Sequence, residues 1–599
     1  MPAFAPGEDD NVFLLAVATA LRDGACDAAA LDALFRRTGF PRSWKRLILV
    51  LYAPGHKRIL ASRETQPEAA SFAAVFAALL GHPRRSALAQ AAFRLQMDFI
   101  TETAQPVELG RIGVEQSGAL HFEPGVDGLL FKTESDEILL FLPGDAFVRS
   151  IMGMRQLREY LYRAHGEEVV RHSRCWRFRS QSYVSNASAK GWLRLYRGYP
   201  LVGALTKDKL EKAVTLAIDH IQLTQKADGR FLYYYDAALD SRRDHEHPTR
   251  DPFKNPYYNI LRHGGGGLTC IYYEKHFRSQ VTHDNIRRAI DYLLAQARIQ
   301  DYDGKPGAYI FHEKKAKLGG SGIALYLLTD YQMLTGDNRY REWADKFAWH
   351  LVNQITASGE FIYYNIYLNK PVTEAQNHQY FSFYYPGEAV CGLAKYLHIA
   401  DAAMADIICA KLRKALHFLL VERPALRAEH YTAVPSDSWL MMGIMELWDQ
   451  ASMRDPAYAE FVFADAAKMI DHLYKVSDAP HPDYAGAFYY QFGDYPYADG
   501  ARCEGLCGAY ELAVKMGDQD KARVIWQAMK LAAWSVLHLT NTDDSVYSAI
   551  KPALARGGIR FKYTRQWFRI DTIQHVASFF AKMLPHWEEG EASISENRP

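Results

Sequence analysis

The 599-residue chain is predicted to be mainly α-helical: an (α/α)6 toroid of six helical hairpins over residues 207–586, preceded by a smaller α+β domain in residues 1–190. Three observations predict it. A glycine turn followed by an aromatic strand recurs through the last two-thirds of the chain, and such internal periodicity is the mark of a repeat architecture. Each copy follows an amphipathic helix and precedes a more apolar one rich in Gly and Ala. The last apolar helix, Asp571 to Leu584, is as buried in character as the others, whereas an open solenoid would end in a polar cap.

The first third changes character as it proceeds. Asn11 to about Leu95 is helical in pattern, with one strand-like run, Arg46 to Tyr52. Short segments such as Leu109 to Val114 and Glu137 to Leu142, separated by Gly118, Gly125 and Gly128, read as strands joined by tight turns. Asp145 to Tyr162 is expected as one helix, and Cys175 to Val184 alternates as a strand should. Residues 191–206 read as a linker and 587–599 as a disordered tail. Gly125-Val126-Asp127-Gly128-Leu129-Leu130, with the Leu-rich strand ending Leu142-Pro143 and the helix after it, is similar to part of the AMMECR1 family, although that family's Leu-Arg-Gly-Cys-Ile-Gly signature is absent. This resemblance implies an accessory domain, able to recruit a protein partner.

The repeat begins after residue 205. Its copies start at Gly229, Gly307, Gly359, Gly486 and Gly558, and a degenerate sixth near Arg427 to Thr432 fills the double gap before Gly486. The amphipathic helices begin near Lys207, His283, Asn338, Ala403, Ala459 and Gln519; the apolar ones begin near Tyr258, Gly319, Tyr385, Asp437, Arg502 and Asp571. Two alternating classes, six times over, close with the apolar helices inside.

The inner-helix N-termini then gather at one mouth. Pro386 suits a first helical turn, and Glu388 sits near the positive end of the helix dipole. The same position around the toroid supplies Asn259, Arg262 and His263; Ser321; Tyr384 and Tyr385; Asp437, Ser438 and Trp439; Arg502 and Glu504; and Arg569, Asp571, Gln574 and His575. Glycoside hydrolysis, the chemistry implied by the resemblance given in the next paragraph, needs one carboxylic acid to protonate the leaving oxygen and a second carboxylate to activate water or attack, for which Glu388, Asp437 and Glu504 are the candidates. Arg262 and Arg502 can hold a substrate carboxylate or phosphate, Tyr384, Tyr385 and Trp439 can stack on sugar faces, and Asn259 and Asp571 complete the binding set. A sugar epimerase would instead move a proton through His263 and His575. A toroid that binds a glycan or peptide without chemistry is the third possibility.

Leu318 to Leu328 with Thr335-Gly336-Asp337, and Tyr385-Pro386-Gly387-Glu388-Ala389, resemble hairpins of the six-hairpin glycosidase superfamily over residues 205–585. That resemblance implies a carbohydrate-active, hydrolase-like enzyme acting on a uronic-type oligosaccharide or glycoconjugate, with sugar epimerases and lanthionine cyclases as relatives. Cys503, Cys507, Cys270 and Cys391 with His263 could imitate the zinc site of the cyclases, but the Trp-Cys and Cys-His-Gly pieces are missing, so the thiols read as small hydrophobes and no metal or cofactor is expected. Lys plus Arg total 70 against 69 for Asp plus Glu, which gives no bulk attraction to nucleic acid. No run of 18 uncharged apolar residues is present to span a membrane. The seven scattered Cys and the acidic start at Met1 to Asp10 lead to a cytoplasmic expectation.

Overall fold

The computed structural model describes residues 7–64, 71–111, 122–365 and 370–595. Six hairpins follow one another, each an outer helix and then an inner one. They are α1 (Lys207–Thr224) and α2 (Ile260–Phe277); α3 (His283–Ala295) and α4 (Leu318–Thr335); α5 (Arg341–Asn353) and α6 (Tyr385–Tyr396). Then come α7 (Ala402–His417) and α8 (Ser438–Leu447); α9 (Pro456–Asp471) and α10 (Gly500–Met516); α11 (Gln519–Leu537) and α12 (Ile570–Met583). Inner helices touch in the order α2, α4, α6, α8, α10, α12 and back to α2, so the toroid is closed.

Hydrophobic distribution explains which helix goes where. In α4 every residue from Leu318 to Tyr331 is buried, and in α6 every residue from Pro386 to Tyr396, as helices apolar on all sides require. Outer helices bury one stripe; in α3 it is Asn285, Ile286, Ala289, Ile290 and Leu293. The run Gly264 to Gly267 lets α2 approach both neighbours: Gly264 and Gly267 face Ile323 and Leu327 of α4, and Gly265 lies against Gln574 of α12.

The repeat glycine has one physical job. Gly229, Gly359, Gly486 and Gly557 have φ of +91°, +94°, +80° and +78°. Each lies against a carbonyl of the next outer helix: Arg288, Lys414, Leu531 and, for the last, Leu216 of α1, where a Cβ would stand 1.9–2.3 Å from the oxygen. That last contact joins the end of the toroid to its start. The expected register is corrected here, because Gly557 rather than Gly558 fills the final position. Gly307 instead belongs to a hairpin pairing Ala297–Tyr302 with Lys305–His312, and 427–432 carries a 3-10 turn, Ala428–His430, rather than a glycine turn and strand. The aromatic strands after Gly359 and Gly486 shrink to isolated bridges, Ile355 with Phe361 and Leu473 with Phe488, whereas the first copy leads into Tyr234–Asp236, paired with Trp567–Arg569.

The first domain holds two antiparallel sheets. Its strands are β1 (Arg46–Tyr52), β2 (Ile59–Glu64), β3 (Arg94–Ile100), β4 (Gln105–Val107), β5 (Gly128–Lys132), β6 (Ile138–Phe141), β7 (Arg174–Phe178), β8 (Gln181–Ser185), β9 (Trp192–Tyr196) and β10 (Tyr199–Pro200). They order as β10-β9-β8-β3-β1-β2 and β4-β7-β5-β6. Several expectations are corrected. The segment 191–200 is no linker but supplies β9 and β10. Cys175 to Val184 splits into β7 and β8, which lie in different sheets, and 145–162 breaks at Ser150 (φ +59°) into Asp145–Val148 and Met154–His165. Leu109–Arg111 is a 3-10 turn, while 112–114 and Gly118 lie outside the described residues. The expected tail forms helix α13 (Trp587–Ser595), with Gly590 packed on the Trp526 ring and Glu591 accepting from its indole at 3.1 Å; residues 596–599 lie outside the described residues.

β1 is an unbroken apolar run because both its faces are covered. Leu47, Leu49 and Leu51 pack into the first domain's own helical layer, whereas Ile48, Val50 and Tyr52 join the core that continues into the toroid. A buried polar cluster fixes the junction: Arg197 Nε donates to Asp483 at 2.6 Å and Nη1 donates to Glu123, while the Tyr199 and Tyr484 hydroxyls donate to Asp483 (2.5 Å) and Glu123 (2.7 Å). Charges this deep survive only when paired and hydrogen-bonded. Because only glycine fits the closing contact, Gly557→Ala should cost about 2–4 kcal/mol through left-handed strain and the forced separation of α1. A thermal or denaturant melt checks it, with the exposed C-cap variant Gly517→Ala expected to cost less.

Candidate active site at the mouth of the toroid

The six inner helices begin at Asn259, Lys317, Tyr384, Asp437, Asp499 and Arg569, which act as N-caps around one opening. Below it the axis is plugged rather than open. Lys582 Nζ bonds Glu504 at 2.9 Å, Lys395 bonds Glu446 at 2.8 Å and Lys275 bonds Asp330 at 2.6 Å, with the Tyr272 and Tyr326 hydroxyls linked at 3.1 Å.

Two carboxyls at the mouth stand out by what they lack. Glu388, on the first turn of α6, is 6 % exposed, and its Oε2 has no hydrogen-bond partner. Gly319 of α4 lies directly against that oxygen, leaving no room for a side chain there. Burial pushes the Glu388 carboxyl up to about 8; Lys317 opposes the rise and Asp437 adds to it. Asp437 caps α8 and is 2 % exposed. Its Oδ2 accepts from Arg423, while Oδ1 is buried without a partner. Burial raises its pKa against the opposing charge of Arg423. Arg423 was not foreseen: α7 runs on through a π-helical turn, Phe418–Glu422, and so carries Arg423 to Asp437.

The third expected carboxylate sits differently. Glu504, one turn into α10, bonds His575 Nδ1 at 2.7 Å through Oε2 and Lys582 through Oε1. Burial opposes its charge, but Lys582 and His575 prevail and hold its pKa below the ordinary carboxylate value. It stays ionised and has both oxygens engaged. In return its hydrogen bond and charge lift His575 above the usual imidazole value, against burial. His263 does not join His575 at the mouth. It is fully buried, Nδ1 bonds the Tyr258 hydroxyl at 2.7 Å, Nε2 bonds the Ala289 carbonyl of α3 at 2.8 Å, and burial drops its pKa to about 4.

Most of the expected binding residues hold the fold. Arg502 donates to Asp499 (2.5 Å) and to the Pro435 (2.8 Å) and Val434 carbonyls, so it anchors the loop that leads into Asp437. Asp571 lies between Arg569 (3.1 Å) and Arg262 (3.2 Å), a seam between α12 and α2, and Arg262 also donates to the Tyr233 hydroxyl. Asn259 caps α2 by accepting from Leu261 N at 3.0 Å, and Ser321 accepts from Ile310 N. The aromatic residues stay available: Tyr384 is 49 % exposed, and Tyr385 and Trp439 are partly buried beside the carboxyls. Lys317, the N-cap of α4, also faces this space. The ring-position logic could have found it, since it occupies the place held by Asn259 and Tyr384 in the neighbouring hairpins.

The cysteines do not assemble. Cys391 donates to the Trp439 carbonyl, Cys507 faces Glu511, and Cys270 and Cys503 are fully buried. Among the described residues, the groups of His, Cys, Asp and Glu close enough to share a cation are Asp244, Glu246 and His247, and His398, Glu446 and Asp449; neither includes a cysteine. Glu246 and Glu446 already pair with Arg569 and Lys395.

No family model matches the chain, and no curated protein matches it. Solved structures that are similar include an inactive variant of the α-1,6-mannanase GH76A of Salegentibacter sp. HEL1_6 in complex with α-1,6-mannotriose (10 % identity, TM-score 0.42, 63 % of this chain and 99 % of that one). Others are a possible member of the GH105 family from Salmonella enterica serovar Paratyphi A (12 % identity, TM-score 0.42, 64 % and 95 %) and a sugar epimerase from a ruminal bacterium (12 % identity, TM-score 0.38, 54 % and 86 %).

The Glu388 environment has a pH signature. Its folded pKa, about 8, lies above the ordinary 4.5, so the stability that the neutral form contributes is complete below about pH 4.5 and is lost as pH rises through about 8. Glu388→Gln removes that dependence. Between pH 5 and pH 8.5 the stability difference should move in the variant's favour by roughly 2–4 kcal/mol, read by denaturant melts. An unchanged difference would mean an ordinary Glu388.

Proposed function

We propose that the chain is a carbohydrate-active enzyme, hydrolase-like, that cleaves a uronic-type oligosaccharide or glycoconjugate at this mouth. The observation that carries the reading is the pair Glu388 and Asp437: two buried carboxyls on adjacent inner helices, each with one unpartnered oxygen, in environments that differ. Glu388, neutral at pH 7, is the general acid that protonates the glycosidic oxygen. Asp437, braced by Arg423, presents Oδ1 as the base or nucleophile. Tyr384, Tyr385 and Trp439 offer apolar faces to the sugar rings. Glu504 acts through His575 as a positioning residue, with Lys582 keeping it charged.

Epimerisation loses one of its two expected bases with His263, which supports the hydrolytic assignment. The seven free thiols support a cytoplasmic setting, and no helix among the described residues is long and apolar enough to cross a membrane. The first domain, AMMECR1-like over 125–142, is proposed as an accessory unit. A protein partner would meet its helical face, because the opposite face of its six-stranded sheet is packed on the toroid.

The test is turnover on a panel of uronic and neutral oligosaccharides, with products separated by chromatography and weighed by mass spectrometry. Glu388→Gln and Asp437→Asn should each lower turnover by about 10²–10⁴-fold while the fold, read by circular dichroism, is kept. Full turnover in both variants overturns the hydrolase. Epimeric products lost only in His575→Ala establish epimerisation instead, and glycan binding without any product establishes a binding toroid.

A further inference from the structure

With Arg262 and Arg502 engaged by the fold, a different cation is left for a ligand. Lys317 is half-buried at the uncapped start of α4. Among the described residues no carboxylate lies within 4.0 Å of its Nζ. Burial pushes its pKa down, Lys315 and Arg262 push the same way, and only Glu388 and Glu313 oppose them. A partly desolvated cation without a counter-charge is costly to keep, and an arriving anion removes that cost.

The space beside it has the matching character. A cavity of about 270 Å³ opens between the N-termini of α2 and α4, lined by Arg250, Asn259, His312, Glu313, Lys315 and Lys317 among others. Arg250 pairs with Glu313 at 3.0 Å, which neutralises both. Burial lowers the His312 pKa and favours its neutral form. The net charge left on the walls is that of Lys315, whose ammonium lies 5.4 Å from the centre of the Tyr364 ring, and Lys317. Gly319, two residues after Lys317, touches the orphan oxygen of Glu388, so Lys317, which lines the cavity, is a near neighbour of the proposed acid. Its volume is slightly below the roughly 300–1,000 Å³ of complete small-molecule sites, as a subsite of a larger mouth should be.

We infer that this cavity is an anion subsite, built on Lys317 with Lys315, that receives the carboxylate of a uronic residue in the saccharide bound at the mouth. The inference rests on the reading of the mouth as a saccharide site. Lys317 would then be the residue that selects acidic over neutral sugars, and it would set the acidic residue next to Glu388.

Calorimetric titration of the full-length protein with D-glucuronate, D-glucose and sodium sulfate separates the outcomes. Glucuronate should bind at least tenfold tighter than glucose, and Lys317→Met should lower glucuronate affinity at least tenfold while leaving glucose unchanged. Lys315→Met serves as the second variant if Lys317→Met does not fold, with a loss in the same direction. If the native protein binds the two sugars equally, or Lys317→Met keeps the preference, the subsite is wrong and the saccharide reading survives. If sulfate binds and depends on Lys317 while neither sugar binds, the cavity holds a free inorganic anion and the saccharide reading falls with the inference. Absence of binding by all three probes overturns it as well.

Discussion

Glycine brings the inner helices of this toroid into backbone contact, and the rest of the molecule follows from that closeness. A Cβ on Gly322 would stand 2.5 Å from the Glu388 carbonyl, one on Gly392 would stand 2.3 Å from the Gly322 carbonyl, and one on Gly387 would stand 2.6 Å from the Leu440 amide. Larger residues would force the helices outward, and the six would no longer meet around one axis. Because they do meet, the axis has no room for a channel. Its lower part is filled by tyrosines and by lysine–carboxylate pairs that cross between helices, and its upper part becomes a blind mouth.

The same closeness removes water from the residues on the first turns, and charge then depends on who the neighbours are. Glu388 and Glu504 are chemically identical and both almost fully buried. Glu504 meets Lys582 and His575 and stays ionised. Glu388 meets a glycine, a tyrosine and an unpaired lysine that is itself partly desolvated, so burial prevails and the acid stays protonated. Two carboxyls of one type are thereby driven in opposite directions by their neighbours alone, one toward the neutral form and one toward the ionised form.

The first domain is joined to this structure by a shared core. The second face of β1, the β9–β10 segment and the Arg197 cluster reach loops of the fifth and sixth hairpins, the same loops that lead into α10 and α12. Replacing a solvated linker by two strands and a buried guanidinium is a tertiary event: β9 is short and finds its place only by pairing with β8 and β10, and Arg197 looks like any surface arginine until Asp483 and Glu123 close over it.

Periodicity made the architecture legible in the sequence alone. The alternation of one-faced and all-round apolar helices sets which helices lie inside, and the observed helices begin within a few residues of the expected positions, because burial patterns are written locally, residue by residue. The candidate positions around the mouth were legible for the same reason, since Glu388, Asp437, Glu504 and His575 follow from where each inner helix starts. Their roles were not. Arg502 and Arg262 are ordinary anion-binding residues in sequence and become structural only when Asp571 and the Pro435 and Val434 carbonyls converge on them from distant segments, with Asp499 of Arg502's own helix start completing the set. His263 turns outward to Tyr258 and Ala289 rather than toward His575, a choice fixed by helix rotation. Arg423 reaches Asp437 through a π-helical turn that no periodicity announces. Which side chains are partnered and which are left for a ligand depends on contacts between segments far apart in the chain, and only the closed toroid brings those segments together.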